Sequence, residues 1–268
     1  MDAVRKCSAL RMTAQRPDPE PETCETIAEE AVTVSLAEAG SFILLATPSD
    51  VEALAVGFAY SEGLLTRRED IAELRAERTG PWTRRVALKL SCPGGDVEAR
   101  NLIVTSSCGM CGKHIEAGLA GPPLGRSLHA TQEQLVSLAA GLRDRQTLFS
   151  RTGGAHAAAI FDGQANVLSF AEDLGRHNAL DKAVGKLVLE GREPRGHGVL
   201  LSGRVSYEMA TKAARAGLEI VAAVSAPSAL AVETCEARNV TLCCFVRDDR
   251  ITVFAHPERI AGASCGKA

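Results

Sequence analysis

Apolar positions first gather in two short bursts, AVTVSL (31–36) and SFILLA (41–46), separated by a turn at Ala39-Gly40. Both read as strands, and the second is rich enough in large apolar side chains to be a buried one. The period then changes. Val51, Leu54, Ala55 and Phe58 recur at helical spacing, with Ser49 placed to cap the helix and Gly63 to end it. RRVALKL (84–90) alternates like a strand with one wet face. Further on, Thr131 and Gln134 have capping-box spacing ahead of Leu135, Leu138, Ala139 and Leu142, which predicts a helix over about 131–143. From there strands and helices take turns. HAAAIF (156–161) and NVLSFA (166–171) flank the turn DGQA, and a helical stretch runs from Asn178 to Gly191. GVLLSG (198–203) and EIVAAVS (219–225) read as strands, with helices over SYEMATKAARAG (206–217) and PSALAVETCEARN (227–239). VTLCCFVR and ITVFAH close the chain as a hairpin through Asp248-Asp249.

Short apolar strands alternating with helices predict a mostly parallel sheet covered on both faces. The expected fold class is therefore α/β: an α+β lobe over 27–128 and an α/β lobe over 129–268. The proline- and glycine-rich GPPLGR makes 119–128 the candidate boundary, and the 131–143 helix is expected to connect the lobes. Residues 1–26, including RPDPEPET, carry proline and acid with few apolar anchors and are expected to form a mobile tail.

Composition narrows the function classes. Of 268 residues, 46% are hydrophobic and 24% charged, the profile of a globular chain, and a net charge of -3 disfavours non-specific nucleic-acid binding. The most apolar stretch, 218–232, is broken by Glu219 and Pro227, so no membrane span is expected. The start lacks an apolar signal region, which makes the cytoplasm the expected compartment. Nine cysteines in a chain of this size are then expected as thiols rather than as a disulfide framework.

Two of those cysteines stand apart. TSSCGMCGK (105–113) sets Cys108 and Cys111 three positions apart among glycines, where thiolates could be reached by a partner and Lys113 and His114 lie close along the chain. Structural zinc needs two such pairs, and only one is present. A thioredoxin-like pair sits where a strand enters a helix, whereas the glycines after Cys111 oppose a long helix. Exposed sulfur chemistry fits better. Zinc deamination is disfavoured as well, because Ala158 stands where the general acid/base glutamate of a His-x-Glu segment would be. In the second lobe, EDLGRHNALDK, SGRVSYE and SAPSA place polar residues at strand ends, where open α/β sheets collect ligands. There Ser202-Gly203-Arg204 could present backbone N–H groups to a phosphate, with Arg176 and His177 adding charge. A solvated helix start with a local ion pair is the plainer reading of Arg176 and Asp181, and a hydrogen-bonded histidine that of His156.

Taken in order, EEAVTVSL, LATPSDVEALAVGFAYSEGLL, CGMCG, RTGGAHAAAIF, EDLGRHNALDKAVG, LSGRVSYEMATKAARAGLEIVAAVSAPSALAVE and TLCCFVRDDRITVFAHPER resemble the formate dehydrogenase accessory sulfurtransferases, the FdhD family, over roughly 29–259. The resemblance implies a cytidine-deaminase-like three-layer α/β C-terminal lobe and a cytoplasmic homodimer. It implies a sulfurtransferase that takes persulfide sulfur from an IscS-type cysteine desulfurase and passes it to the molybdenum cofactor, the bis(molybdopterin guanine dinucleotide) form, needed by formate dehydrogenase. No metal held by the protein itself is implied. By motif, Cys108 matches the persulfide-bearing cysteine and Cys111 its partner, either resolving the persulfide or tuning the neighbouring thiolate. Phe245, Val246, Arg247, Asp248, Asp249 and Arg250 match the cofactor-binding stretch, with two aspartates where a glycine-containing turn is expected. Two rivals need no persulfide: a chaperone that only carries the cofactor, and a zinc hydrolase of deaminase type.

Overall fold

The computed structural model describes residues 3–14, 16–36, 40–92, 102–104, 119 and 121–262. Cys108, Cys111, Lys113 and His114 lie outside the described residues. The N-terminus corrects the expectation of a mobile tail over 1–26. Strand β1 (Val4–Thr13) pairs antiparallel with β2 (Arg16–Ile27), from Val4 opposite Ile27 to Thr13 opposite Arg16. Proline content alone misleads here, because Pro19 and Pro21 are two residues apart. On an extended chain their missing N–H groups fall along one edge, and the edge facing β1 keeps its donors. Arg151 then clamps the hairpin to the body through two 2.8 Å bonds to Glu25.

Strands β3 (Glu30–Leu36), β4 (Gly40–Ala46), β5 (Ile71–Gly80), β6 (Thr83–Leu90) and β7 (Leu102–Val104) form a five-stranded sheet in the order β5-β6-β3-β4-β7. Alternate residues Val32, Val34, Leu36, Phe42, Leu44, Val86 and Leu88 face inward and pack against helix α1 (Val51–Ser61). Apart from Glu52, every residue of α1 is buried, because the second lobe covers its other side. Asp50, rather than Ser49, takes the N-cap position, with φ of 52° and no side-chain cap bond. Gly63, at φ 79°, ends the helix as its sequence predicts.

The second half begins with β8 (Ala130–Thr131) and α2 (Gln132–Arg145), whose capping box forms as expected: Gln134 N donates to Thr131 Oγ1 at 3.2 Å and Thr131 N to Gln134 Oε1 at 2.8 Å. After α3 (Thr147–Thr152) come β9 (His156–Phe161), β10 (Val167–Asp173), α4 (Arg176–Leu189), β11 (Gly198–Leu201), α5 (Tyr207–Arg215), β12 (Ile220–Ala223), α6 (Ala229–Arg238), β13 (Thr241–Arg247), β14 (Arg250–Ala255) and β15 (Ile260–Ala261). The six-stranded sheet runs β10-β9-β11-β12-β13-β14 and is parallel only across β11, β12 and β13, since the β9–β10 hairpin lies antiparallel against β11 and β14 returns from β13 as a second hairpin. Residues alternate between its faces except at the irregularities in β10 and β13. Ala158, Ile160, Val199, Leu201, Val221, Ala223, Leu242 and Cys244 meet α4, α5 and α6, while Ala157, Ala159, Phe161, Leu200, Ile220, Ala222 and Cys243 meet α2. Three layers result. The helix expected to connect the lobes, α2, instead covers this second face, where Leu135, Leu138 and Leu142 are buried.

What joins the halves is the crossing of α1 and α4. Gly57 and Gly185 let the backbones touch: a Cβ on Gly57 would lie 1.7 Å from Asp181 O, and one on Gly185 1.8 Å from Ala53 O. Buried charges flank this contact. Asp173 accepts from Thr47 N (3.0 Å), Gly175 N (2.8 Å), Asn178 Nδ2 (3.0 Å) and Lys182 Nζ (2.6 Å), and Lys182 also donates to Thr47 O at 2.8 Å. At the other end, Asp181 accepts from Ser61 Oγ (2.7 Å) and Lys212 Nζ (3.0 Å), and Lys212 reaches Glu62 at 3.0 Å. Burial opposes the charge on Lys212, but Asp181 and Glu62 outweigh it and hold the ammonium above its ordinary value.

Candidate functional site

In an α/β sheet the carboxyl ends of the parallel strands leave turns free to carry polar groups. Here β11 runs into Ser202-Gly203-Arg204, β12 into Ser225, and β13 into Phe245 and the Asp248-Asp249 turn, all along one edge. Antiparallel β9 begins at this edge with His156, and α4 opens there with Arg176 and His177. The edge is closely built. Ser202 Oγ accepts from Ala157 N at 2.8 Å, and Ser202 N donates to Ala157 O at 3.0 Å. Gly203 lies close under its neighbours, since a Cβ there would crowd His156 Nδ1 at 3.1 Å and touch Arg176 Cβ at 3.7 Å. Across from it, His177 Nε2 lies 3.1 Å from Glu208 Oε2, on the first turn of α5.

Electrostatically the edge favours an anion. Burial, followed by the nearby Arg176, lowers the pKa of His156, Asp173 opposing, so the ring is neutral at pH 7. Burial also bears against the charge of Arg176, with Arg204 adding to the pressure and Glu208 relieving it. Desolvation raises Glu208 above the usual carboxylate range, with Lys212 opposing. Arg176 Nε and Ser206 Oγ are buried without a hydrogen-bond partner. Ser206 occupies the N-cap position of α5 yet makes no side-chain cap bond, leaving its hydroxyl available. The Arg176 and Arg204 guanidiniums, the unpartnered Arg176 Nε–H and the idle Ser206 hydroxyl are the kinds of donor that phosphate oxygens accept from.

Thus the structure brings together His156, Arg176, His177 and the Ser202-Gly203-Arg204 turn. Residues 245–250 share the edge but not the cluster, since β13 lies two strand spacings, about 10 Å, from β11. Phe245 sits in a bulge at φ 54°, an unusual conformation for a bulky residue, and its N–H donates to Ser225 O at 3.2 Å. Val246 is buried, Arg247 and Arg250 close the hairpin as a pair, and Asp248 takes the left-handed position at φ 56° that a glycine would fill. Gln132 Nε2 holds this turn through Asp249 O at 2.6 Å. Sequence reasoning assigned no role to Glu208 or Ser206. The helix-cap position of Ser206 is visible in SGRVSYE, but its missing cap bond is visible only in three dimensions.

The described thiols fall into two groups. Cys235, Cys243 and Cys244 are buried, and burial raises all three, Cys243 and Cys244 to about 12, where the nucleophilic thiolate is scarce. Cys7 and Cys92 are exposed and Cys24 is half-buried. Ala158 is fully buried in β9, so no acid group stands two residues beyond His156. No helix among the described residues is long and apolar enough to cross a membrane.

Known proteins share this architecture. A formate dehydrogenase accessory protein from Desulfotalea psychrophila superposes with a TM-score of 0.76 at 21% identity, over 97% of this chain and 100% of that one, which shows a common fold. Proteins named sulfur carrier protein FdhD are similar in sequence: 37% identical in Saccharolobus solfataricus (81% of this chain, 82% of that protein), 40% in Xanthomonas euvesicatoria (81% and 79%) and 39% in Streptomyces coelicolor (88% and 88%). The FdhD/NarQ family profile matches residues 27–261, from the end of β2 to the end of β15. Fold, length of match and identity agree, and the chain belongs to the FdhD/NarQ family.

Proposed function

We propose that this chain is a sulfur carrier in the maturation of formate dehydrogenase, a sulfurtransferase that loads sulfur on Cys108 and delivers it to the molybdenum cofactor. Its relatives in archaea and bacteria are named sulfur carriers, which supports the sulfur chemistry. The observation that carries the rest of the reading is the edge cluster. Arg176 and Arg204, with an unpartnered guanidinium N–H and the free Ser206 hydroxyl, match the diphosphate of a guanine-dinucleotide cofactor treated as substrate. An incoming anion would relieve the burden that burial and Arg204 place on Arg176. The Phe245–Arg250 segment, on the same edge, offers an aromatic face and two further guanidiniums for the remainder of so long a ligand.

In the loading step the Cys108 thiolate attacks the terminal sulfur of a cysteine desulfurase persulfide. Cys108–S–SH forms and the desulfurase cysteine leaves as thiolate, so no outside oxidant or reductant is consumed. The burial of Cys235, Cys243 and Cys244 supports a reactive thiol elsewhere in the chain. The test is mass spectrometry of the protein after incubation with a cysteine desulfurase and cysteine. The 105–113 peptide should gain one sulfur atom, and Cys108→Ala should abolish the gain while cofactor binding stays near normal. Unaltered sulfur loading in Cys108→Ala overturns the assignment. A Cys108, Cys111 double alanine variant that still matures formate dehydrogenase would replace it with a carrier that needs no thiol.

A further inference from the structure

The N-terminal hairpin carries a second pair of thiols, Cys7 and Cys24. Cys7 on β1 stands directly opposite Cys24 on β2. Opposed residues of an antiparallel pair project on the same face, so the two side chains are neighbours across the strands. Parity fixes the kind of pair. Ala28 N donates to Ala3 O at 2.9 Å, and Arg5 opposite Thr26 and Cys7 opposite Cys24 follow at steps of two, so Cys7 and Cys24 form a hydrogen-bonded pair. Pro21, at an odd step from Cys24, agrees, since it has no N–H to give. Such pairs hold their Cα atoms about 5.5 Å apart. That lies at the preferred span of a disulfide, whose Cα atoms sit roughly 4.4–6.8 Å apart.

The face they share is open. Glu25 and Ile27 project from the opposite face of β2 and meet Arg151 and Gly154 of the body. Cys7 is exposed, and its Sγ rests 3.3 Å from Thr26 Oγ1, a weak contact on the same face as Cys24. Cys24 is half-buried.

We infer that Cys7 and Cys24 are a thiol–disulfide exchange site that closes reversibly on reaction with a small-molecule disulfide. The exposed Cys7 thiolate attacks the small disulfide, forming a mixed disulfide and expelling one small thiolate. Cys24 then attacks Cys7 Sγ, forming the cross-strand bond and expelling the second. Two protein thiols lose two protons and two electrons, and the small disulfide is reduced to two thiols. In a hydrogen-bonded pair the Cβ atoms stand up to about 5.5 Å apart, wider than the roughly 3.5–4.5 Å of a relaxed disulfide, so closure draws the strands together under strain and the closed form is readily reduced again. Closure would pin together two strands that have little core of their own, Val4 being the buried apolar residue of the pair.

The full chain, reduced and then equilibrated in glutathione mixtures of increasing oxidised fraction, tests this by non-reducing tryptic mapping. The peptide beginning at Cys7 should become linked to the one containing Cys24, with loss of two hydrogens, and the link should disappear when reduced glutathione is restored. Cys24→Ser should instead accumulate the glutathione adduct on Cys7. Amide exchange across 4–27 should slow in the oxidised protein and be unchanged by oxidation in Cys24→Ser. A stable adduct on Cys7 of the parent, linkage of Cys7 to any other cysteine, or no link at any glutathione ratio would each overturn the inference.

Discussion

Replacing Gly57 by alanine tests the account of how the two halves hold together. The new methyl carbon would sit 1.7 Å from Asp181 O and 2.9 Å from Gly185 N, where ordinary contact begins near 3.4 Å. Both obstacles are helix backbone and cannot rotate away. The axes of α1 and α4 must part by up to about 1.7 Å, the difference between 3.4 and 1.7 Å. A gap of 0.5–1 Å already forfeits a quarter to a half of each dispersion contact along the seam. Overpacking of this kind costs about 1–3 kcal/mol, and more when buried hydrogen bonds stretch with it. Against that stands the gain of about 1 kcal/mol that alanine brings to a helix over glycine. The net expectation for Gly57→Ala is a loss of up to about 2 kcal/mol, and more where the flanking buried hydrogen bonds stretch. Gly141, in the middle of α2, provides the opposing case: nothing lies within 4 Å of its Cβ position, so Gly141→Ala should gain about 0.5–1 kcal/mol. Urea unfolding followed by far-UV circular dichroism reads both as shifts of midpoint. If the two substitutions move the midpoint in the same direction, the close crossing of α1 and α4 is not what limits stability.

Three more perturbations probe other parts of the argument. Lys182→Met leaves Asp173 buried without its cation and should cost about 3–5 kcal/mol in the same assay, with Asp173→Asn restoring part of it in the double variant; a loss under about 1 kcal/mol would contradict the pairing. Partial burial presses the pKa of Glu219 upward, but donors from Leu128 N and from Ser127 outweigh it and leave the carboxyl below its ordinary value. A depressed folded value contributes stability at neutral pH that is lost as pH falls below about 4.5. Glu219→Gln should therefore cost about 1–3 kcal/mol at pH 7, and the gap to the parent should close in acid; a gap that widens would reverse the sign. Alkylation of the native protein at pH 8 should label Cys7 and Cys92 well before Cys235, Cys243 and Cys244, and equal rates would show that the buried thiols are accessible.

Much of the second half was legible because its signals are local. The Thr131–Gln134 capping box and the strand–helix alternation from HAAAIF onward depend on neighbours within a few residues, and each appears where the pattern puts it. The N-terminal hairpin was missed because proline and acid content describes composition, whereas pairing depends on which edge loses its donors. Strand β5, IAELRAERTG, carries so much charge that its alternation is faint; as an edge strand it buries little. The role expected of α2 failed for a related reason, since an amphipathic helix announces that it covers something without saying what. At the candidate site, Arg176, His177 and the SGR turn were visible as polar residues at strand ends. The idle hydroxyl of Ser206, the backbone strain at Phe245 and the His177–Glu208 contact arise from pieces far apart in sequence, which only the folded sheet edge assembles.

The seam between α1 and α4 also bears on how the protein can be made. Thr47, Ser61 and Glu62 complete the coordination of Lys182, Asp181 and Lys212, so a gene severed between Val104 and Gly121 would leave the second polypeptide with ion pairs short of those partners and the first with one side of α1 bare. Neither piece could be purified as a tidy module; they would have to be synthesised side by side and find one another. Ancestry that shuffled the halves separately would have had to rebuild the close glycine contact of α1 with α4 along with them.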